Sequence, residues 1–214
     1  MNCYLVLEDD GLTLVDSTTS APAADVAAEA SRLGLELRRV ALTHAHGDHV
    51  GGVAGIRERF PGVEVSIGER EARFLVGDKG LDAGEPQAAV KGWFVKVQWT
   101  PDRILKPGDR LGSLEVVAAP GHTPGQVAFL DVRDRSLIAG DALQTRGGLA
   151  VSGVIRPLFP FPALATWHKP TALATAEALR RLQPSRLAVG HGDVLEDPVE
   201  ALDRAVVVAK RTFA

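Results

Sequence analysis

Four times along this chain a short apolar run ends and a residue able to ligate a metal follows within a few positions. Val40-Ala41-Leu42 leads to His44, residues 114–118 lead to His122, residues 136–139 to Asp141, and residues 187–189 to His191. Apolar runs this short, bounded by turn residues, read as buried strands. Where such strands share sheets, their ends converge on one rim, which is where open α/β layers place their chemistry. The pattern asks for strands carried in α/β layers with one edge gathering several loops.

Other periodicities fill in the layers. Residues 4–7 and 12–15 flank Asp9-Asp10-Gly11, a hairpin signal. A helix is expected over residues 22–33, with Val26, Ala30 and Leu33 on one face and Gly34 past its end. Further helices are expected over residues 51–60, stopping at Pro61, over 69–76 and over 171–182. Short strands are expected over residues 63–67, 126–130 and 186–189. The last helix, residues 197–210, has Asp197 as its expected cap, Pro198 at its first position and Glu200 three after the cap. Residues 77–100 and 147–167 show no clear period. No repeat, low-complexity run or flexible linker interrupts the 214 residues, so one domain, 1–214, is expected.

Composition narrows the function. With 45% hydrophobic residues the chain can bury a full core. A formal charge of −3, with no lysine or arginine cluster, gives no electrostatic footprint for nucleic acid or an anionic membrane. A small-molecule partner is expected instead, and a homodimer is left open. Cys3 is the single cysteine, which forbids an internal disulfide and a thiolate zinc cage. It is expected as a small buried hydrophobe. Met1-Asn2-Cys3-Tyr4 runs straight into strand-like sequence without a basic and apolar leader, and no apolar run is long enough to span a bilayer, so a cytoplasmic location is expected.

The stretch His44-Ala45-His46-Gly47-Asp48-His49 packs four potential ligands into six residues. With His122, Asp141 and His191 the set reaches seven and takes up all but one of the chain's 6 histidines. Imidazole and carboxylate suit zinc and its neighbours in the first transition row. In an extended turn His44 and His46 project to one side, while Asp48 and His49, beyond the permissive Gly47, can reach a second cation. Two metals about 3.5–4 Å apart can share and ionise one water near neutral pH. Any one of these histidines alone would more often be a core or surface residue; the spacing and the four strand ends together point to metal.

Thr43-His44-Ala45-His46-Gly47-Asp48-His49, Pro120-Gly121-His122-Thr123-Pro124-Gly125, Gly140-Asp141 and Gly190-His191-Gly192 resemble, in order, the successive motifs of the metallo-β-lactamase superfamily. Asn2-Cys3-Tyr4-Leu5 and Leu14-Val15-Asp16 are similar to its opening hairpin. The resemblance implies an α/β fold, a four-layer αβ/βα sandwich of two mixed β-sheets with helices on the outer faces. It implies that His44, His46 and His122 bind one metal, that Asp48, His49 and His191 bind another, and that Asp141 bridges them. Asp48 and Asp141 would then serve the chemistry directly. The implied activity is hydrolysis of a carboxylic thioester, lactone or ester by a metal-activated water, with two divalent ions, zinc before iron or manganese. Asp16 could brace the ligand loop by hydrogen bonds or be a turn residue after a strand. Thr123 could brace the His122 loop in the same way.

Within that superfamily, Asp141 resembles the pattern of glyoxalase-II-like thioesterases and quorum-quenching lactonases more than that of exported β-lactamases, where another residue type, often cysteine, stands at that position. Glyoxalase II adds a helical carboxy-terminal region, and here 23 residues follow His191. The lactonases resembled place a tyrosine three after the bridging aspartate, where this chain has Gln144. A glutamine amide can hydrogen-bond there but not supply a tyrosine's proton. Tyr4, the single tyrosine, is expected to be structural. Trp93, Phe94 and Trp99 in one irregular stretch, and Phe159, Phe161 and Trp167 in the other, either wall an apolar pocket or pack their loops down. His168 reads as a helix-entry residue or a pocket acid, and Arg146 and Arg156 as solvated or as contacts for a substrate carboxylate. Two rival functions share the ligand set: an iron-dependent oxidoreductase resembling persulfide dioxygenases, and a non-catalytic metal-bound module.

Overall fold

Near-continuous apolar runs along the central strands give each sheet two dry faces, and both must be covered. The computed structural model describes residues 1–19 and 22–214. The first sheet contains β1 (Tyr4–Glu8), β2 (Gly11–Val15), β3 (Leu37–Leu42), β4 (Glu64–Gly68) and β5 (Arg103–Leu105), in that spatial order. β1 and β2 form an antiparallel hairpin, and β2 to β5 run parallel. The parallel connections are made by α1 (Pro22–Leu33), by α2 (Gly47–Val50) with α3 (Val53–Arg59), and by α4 (Glu69–Leu75) with the long segment after it.

The second sheet takes β6 (Arg110–Leu111), β7 (Leu114–Ala118), β8 (Val127–Asp131) and β9 (Ser136–Ile138) as an antiparallel run. β10 (Leu143–Gln144) and β11 (Ala150–Val151) pair as a separate small hairpin, followed by α5 (Phe161–Ala165) and α6 (Lys169–Arg181). β12 (Arg186–Ala188) then returns parallel to β9 and pairs with β13 (Leu195–Glu196), and α7 (Val199–Phe213) closes the chain.

Three cores show the layering. Leu12, Leu14, Val40 and Leu42 face Val26, Ala30, Val53, Ile56 and Phe74 of the helices outside the first sheet. Leu130, Leu137 and Leu187 face Ala176, Leu179, Leu202 and Ala205 of α6 and α7. The intervening strand positions, Val15, Ala41, Val127, Phe129, Ile138 and Ala188, meet between the sheets. The period of two along each strand therefore splits its residues between an outer and a central core. This is the four-layer αβ/βα sandwich with two mixed sheets.

Several boundaries differ from the sequence reading. The helix expected over residues 51–60 starts at Val53 as α3 and is preceded by the separate turn α2, because Gly52 N–H leaves the helical ladder for the Thr18 carbonyl. Asp197 does not cap α7: it sits at φ 46, its N–H bonded to the Ser185 carbonyl, and Pro198 takes the cap position. The β12–β13 pairing claims Asp197 as a turn residue before the helix can use it. The irregular stretch 147–167 contains β11 and α5. Strands β5, β6, β10 and β13, two or three residues each, are too short to show a period.

Candidate metal centre

β3 ends in the first sheet, β7, β9 and β12 end in the second, and their following loops meet where the Thr43 carbonyl accepts a hydrogen bond from Val127 N–H at 2.9 Å. Here His44 Nε2 lies 3.1 Å from His46 Nδ1, and His122 Nε2 lies 3.0 Å from that same atom. Nitrogens held by one tetrahedral cation at 2.0–2.1 Å stand roughly 3.3 Å apart. The three fit a single ion.

The opposite nitrogen of each ring has a partner that fixes its proton there. The Thr43 hydroxyl donates to Asp16 at 2.9 Å, so its oxygen accepts from His44 Nδ1–H at 3.0 Å. Ser152 Oγ accepts from His122 Nδ1–H at 2.9 Å and is itself held by Thr166 at 2.8 Å. The Lys91 carbonyl accepts from His46 Nε2–H at 3.0 Å. Asp16 Oδ2 accepts from His49 Nδ1–H at 2.7 Å. His44, His46 and His122 thus turn an unprotonated nitrogen inward, and His49 turns its Nε2 the same way.

The second group forms beside the first. His49 Nε2 is 3.4 Å from Asp141 Oδ1, while Asp141 Oδ2 is 3.5 Å from His122 Nε2 and 3.2 Å from His191 Nε2. Asp48 Oδ2 lies 3.4 Å from His191 Nε2. His44, His46 and His122 form one cluster with ligand atoms within 4.8 Å of one another, and Asp48, His49 and His191 form another. Asp141 stands between them, its Oδ2 near one histidine of each cluster and its Oδ1 toward His49. His49 Nε2 and Asp141 Oδ1 are buried with no hydrogen-bond partner. Buried polar atoms are rarely left so, and this pair fits a divalent cation between them. The Gly190 backbone packs closely against this pair: a Cβ there would fall 2.1 Å from Asp141 Oδ1.

Electrostatics separates the two groups. Burial holds the His44 imidazole well below its usual pKa, His46 down at about 4 and His122 at about 3, so these rings are neutral ligands at physiological pH. Around Asp141 burial opposes ionisation, yet His191 and His49 outweigh it and hold the carboxyl well below its usual range. Burial likewise opposes charge on His49 and His191, but Asp16 and Asp141 push His49 well up, and Asp141 with Asp48 pushes His191 up to about 9. The carboxylates draw positive charge into this half, and in the metal-free protein protons supply it.

A cavity of about 480 Å³ opens onto both groups, walled by Trp93, Phe159, Phe161, Pro162 and Leu164 opposite His46, Asp48, His122, Asp141 and His191. Phe159 lies tilted against the His191 ring, centroids 5.0 Å apart, with the Arg146 guanidinium 4.9 Å from the Phe159 ring centroid. Phe94, Gln144 and His168 are not in that wall. Phe94 packs beneath, against His46 at 4.5 Å and Phe74 at 4.9 Å. Gln144 is buried in β10 and does not line the cavity. His168 caps α6, its Nδ1 accepting from Thr171 N–H at 3.3 Å, and so is spent on the helix. Trp99 lies over Arg57, and Trp167 Nε1–H bonds the Ala88 carbonyl at 3.0 Å, tying the two irregular stretches together. Arg156 Nη2 bonds the Leu149 carbonyl.

The family model for the metallo-beta-lactamase superfamily matches residues 2–191. The chain belongs to the metallo-β-lactamase superfamily. It is 45% identical over 212 residues to the "Uncharacterized protein YobT" of Bacillus subtilis (strain 168), covering 99% of this chain and 91% of that protein. It is 33% identical over 147 residues to a hydroxyacylglutathione hydrolase of Xanthomonas oryzae pv. oryzae, a match spanning 67% of this chain and 46% of that protein. Among solved structures, TTHA1623 in a di-iron-bound form superposes with a TM-score of 0.70 at 29% identity, covering 94% of this chain and 91% of that one.

Against the superfamily's motifs, the partners that orient the ligands are the less expected part. Asp16 braces the ligand loop, accepting from Thr43 N–H at 2.8 Å as well as from His49. Thr123 is buried beside Glu71, whose carboxyl burial pushes up to about 7 against the opposing pull of Thr123 and of the Ala45 and Gly125 N–H groups. Ser152 and the Lys91 carbonyl were invisible as partners, since both sit in stretches without period. Asn2 and Tyr4 hold the His191 loop: Tyr4 O–H donates to the Val189 carbonyl at 2.7 Å and Asn2 Nδ2–H to the Gly192 carbonyl at 2.6 Å. No described helix is long and apolar enough to cross a membrane.

Proposed function

We propose that this member of the superfamily is a dinuclear metal-dependent hydrolase of a small carboxylic thioester, lactone or ester. One observation carries the reading: two groups of inward-facing nitrogen and oxygen atoms, joined by Asp141, open directly onto a cavity large enough for a substrate. Zinc fits the imidazole and carboxylate set first, and iron or manganese fit it too. When bound, a pair of such cations supplies an activated water and a Lewis acid for the scissile carbonyl.

The chain's own residues do the rest. Asp141 holds Oδ2 near both His122 and His191, one from each group, and stays ionised through His191 and His49. Asp48, 30% exposed at its side chain, keeps Oδ2 toward His191 and has Oδ1 to accept a hydrogen bond from the attacking water. Trp93, Phe159 and Phe161 exclude water from one side of the cavity and take the apolar part of the acyl group. Similarity to a hydroxyacylglutathione hydrolase supports thioesters as the first class to test, and the apolar wall supports lactones and simple esters beside them.

The test is elemental analysis of purified protein coupled to a screen of acyl thioesters, lactones, esters and a β-lactam. Two divalent ions per chain with turnover of one of the first three classes is the expected result. A single redox-active iron with no hydrolysis of any class would overturn it in favour of oxidation, and bound metal without any turnover would leave a binding module.

A further inference from the structure

Glu71 is wholly buried on α4 and belongs to neither ligand cluster. Its Oε2 accepts a hydrogen bond from Ala45 N–H at 2.9 Å, and its Oε1 accepts one from Gly125 N–H at 2.8 Å. Ala45 is the residue between His44 and His46, and Gly125 closes the turn that begins at His122. The first of these loops follows β3 in one sheet, the second follows β7 in the other. One carboxylate therefore spans the two sheets at the point where the three nitrogens of the first cluster meet.

Among the described residues, no arginine pairs with the carboxylate there. The neighbouring arginines turn away: Arg70 pairs with Glu85 at 2.7 Å, and Arg73 with Asp78 at 2.9 Å and Asp82 at 2.7 Å. A buried carboxyl without a cation is unfavourable unless its hydrogen bonds require it. Here both partners are N–H donors, so both oxygens must accept. The loop also lies flush on α4, since a Cβ on Gly125 would come within 2.4 Å of Arg70 Cβ.

From this geometry we infer that Glu71 is a positioning residue for the metal centre, setting the separation between the His44–His46 pair and His122 by clamping their two loops to one carboxylate. It touches neither metal nor substrate. The inference rests on the reading that those three histidines hold a metal, and the wild-type arm of the test examines that reading separately.

Glu71→Gln keeps the shape but has a single acceptor, so one N–H must face an amide N–H2. Glu71→Ala removes both ties. The measurement is Co(II) affinity by competition with a chromogenic chelator, the visible absorption of the Co(II)-loaded protein, and thermal unfolding of metal-free and loaded forms. Wild-type protein is expected to bind Co(II) with tetrahedral absorption; failure at that step would sink the metal reading itself. The Gln variant is expected to lose about 10-fold in affinity and the Ala variant up to about 100-fold, with weakened absorption and a smaller metal-induced rise in Tm. Folded variants that match wild type in affinity and spectrum, while melting lower by the same amount with and without metal, would overturn the inference and leave Glu71 a purely structural residue. Should Glu71→Ala fail to fold, the isosteric Gln variant still decides.

Discussion

Asp16 Oδ2 accepts a hydrogen bond from His49 Nδ1–H at 2.7 Å, and this contact decides which face of the ring is left for a metal. Asp16 stands at the end of β2 with φ 60, a conformation that aspartate tolerates better than most residues but that still needs support from its surroundings. The same carboxylate collects Thr43 N–H and the Thr43 hydroxyl, so one residue orients His49 directly and His44 through Thr43.

Asp16→Asn places an amide N–H2 against donors that now meet an oxygen. Affinity for the metal is expected to fall about 10- to 100-fold, with the fold retained. Chelator competition measures the first and circular dichroism the second; unchanged affinity would remove Asp16 from the centre.

Asp141→Asn removes the charge that both groups share. Metal content and hydrolysis are expected to fall together, read by elemental analysis and turnover on the same preparation. A variant that kept two ions and full activity would exclude Asp141 from the bridging position.

Stability of the metal-free protein should depend on pH through His191. Its folded pKa, about 9, lies above the ordinary 6.5, so the stability it contributes is complete below about pH 6.5 and is lost as pH rises through about 9. Chelator-treated protein should therefore melt at a lower temperature at about pH 9.5 than at about pH 6.5. Saturating metal should flatten that fall, because a ligating imidazole is neutral, and metal uptake near pH 7 should release protons detectable by calorimetry in two buffers. A flat profile for the metal-free protein would contradict the charge distribution described.

His168→Ala should cost about 1 kcal/mol of stability, the usual loss for a helix cap, and lower Tm by roughly 2–4 °C. Its hydrolytic rate should stay within a few-fold of wild type, because the side chain is turned to Thr171 and away from the cavity. A rate loss of about 10²-fold or more, the scale of general acid–base catalysis, would place His168 in the chemistry.

Trp93 is 58% exposed at the cavity mouth. Trp93→Ala should raise KM for substrates with apolar acyl groups while leaving Tm and metal content near wild type, and steady-state kinetics over a chain-length series would show it. No change in KM across the series would remove Trp93 from the binding wall.

Local sequence alone determined which seven side chains could meet and which strand ends would carry them, because ligand chemistry and an apolar run of a few residues are both visible within a short window. The layering followed from the resemblance of those motifs to a known superfamily, because strands such as Gly11–Val15 and Val127–Asp131 are buried along their whole length and show no period of their own. Tertiary structure decided the rest. Ser152, Glu71 and the Lys91 carbonyl orient or clamp the ligands from positions remote in the chain, and a hydrogen bond between such residues leaves no periodic trace. The same holds for Phe94, Gln144 and His168, whose residue types suit a pocket wall but which stand in a core, at a buried strand position and at a helix cap. Pairing of β12 with β13 overruled a good local cap at Asp197 for the same physical reason: a local preference of about 1 kcal/mol yields to a fixed backbone path imposed by partners far along the sequence.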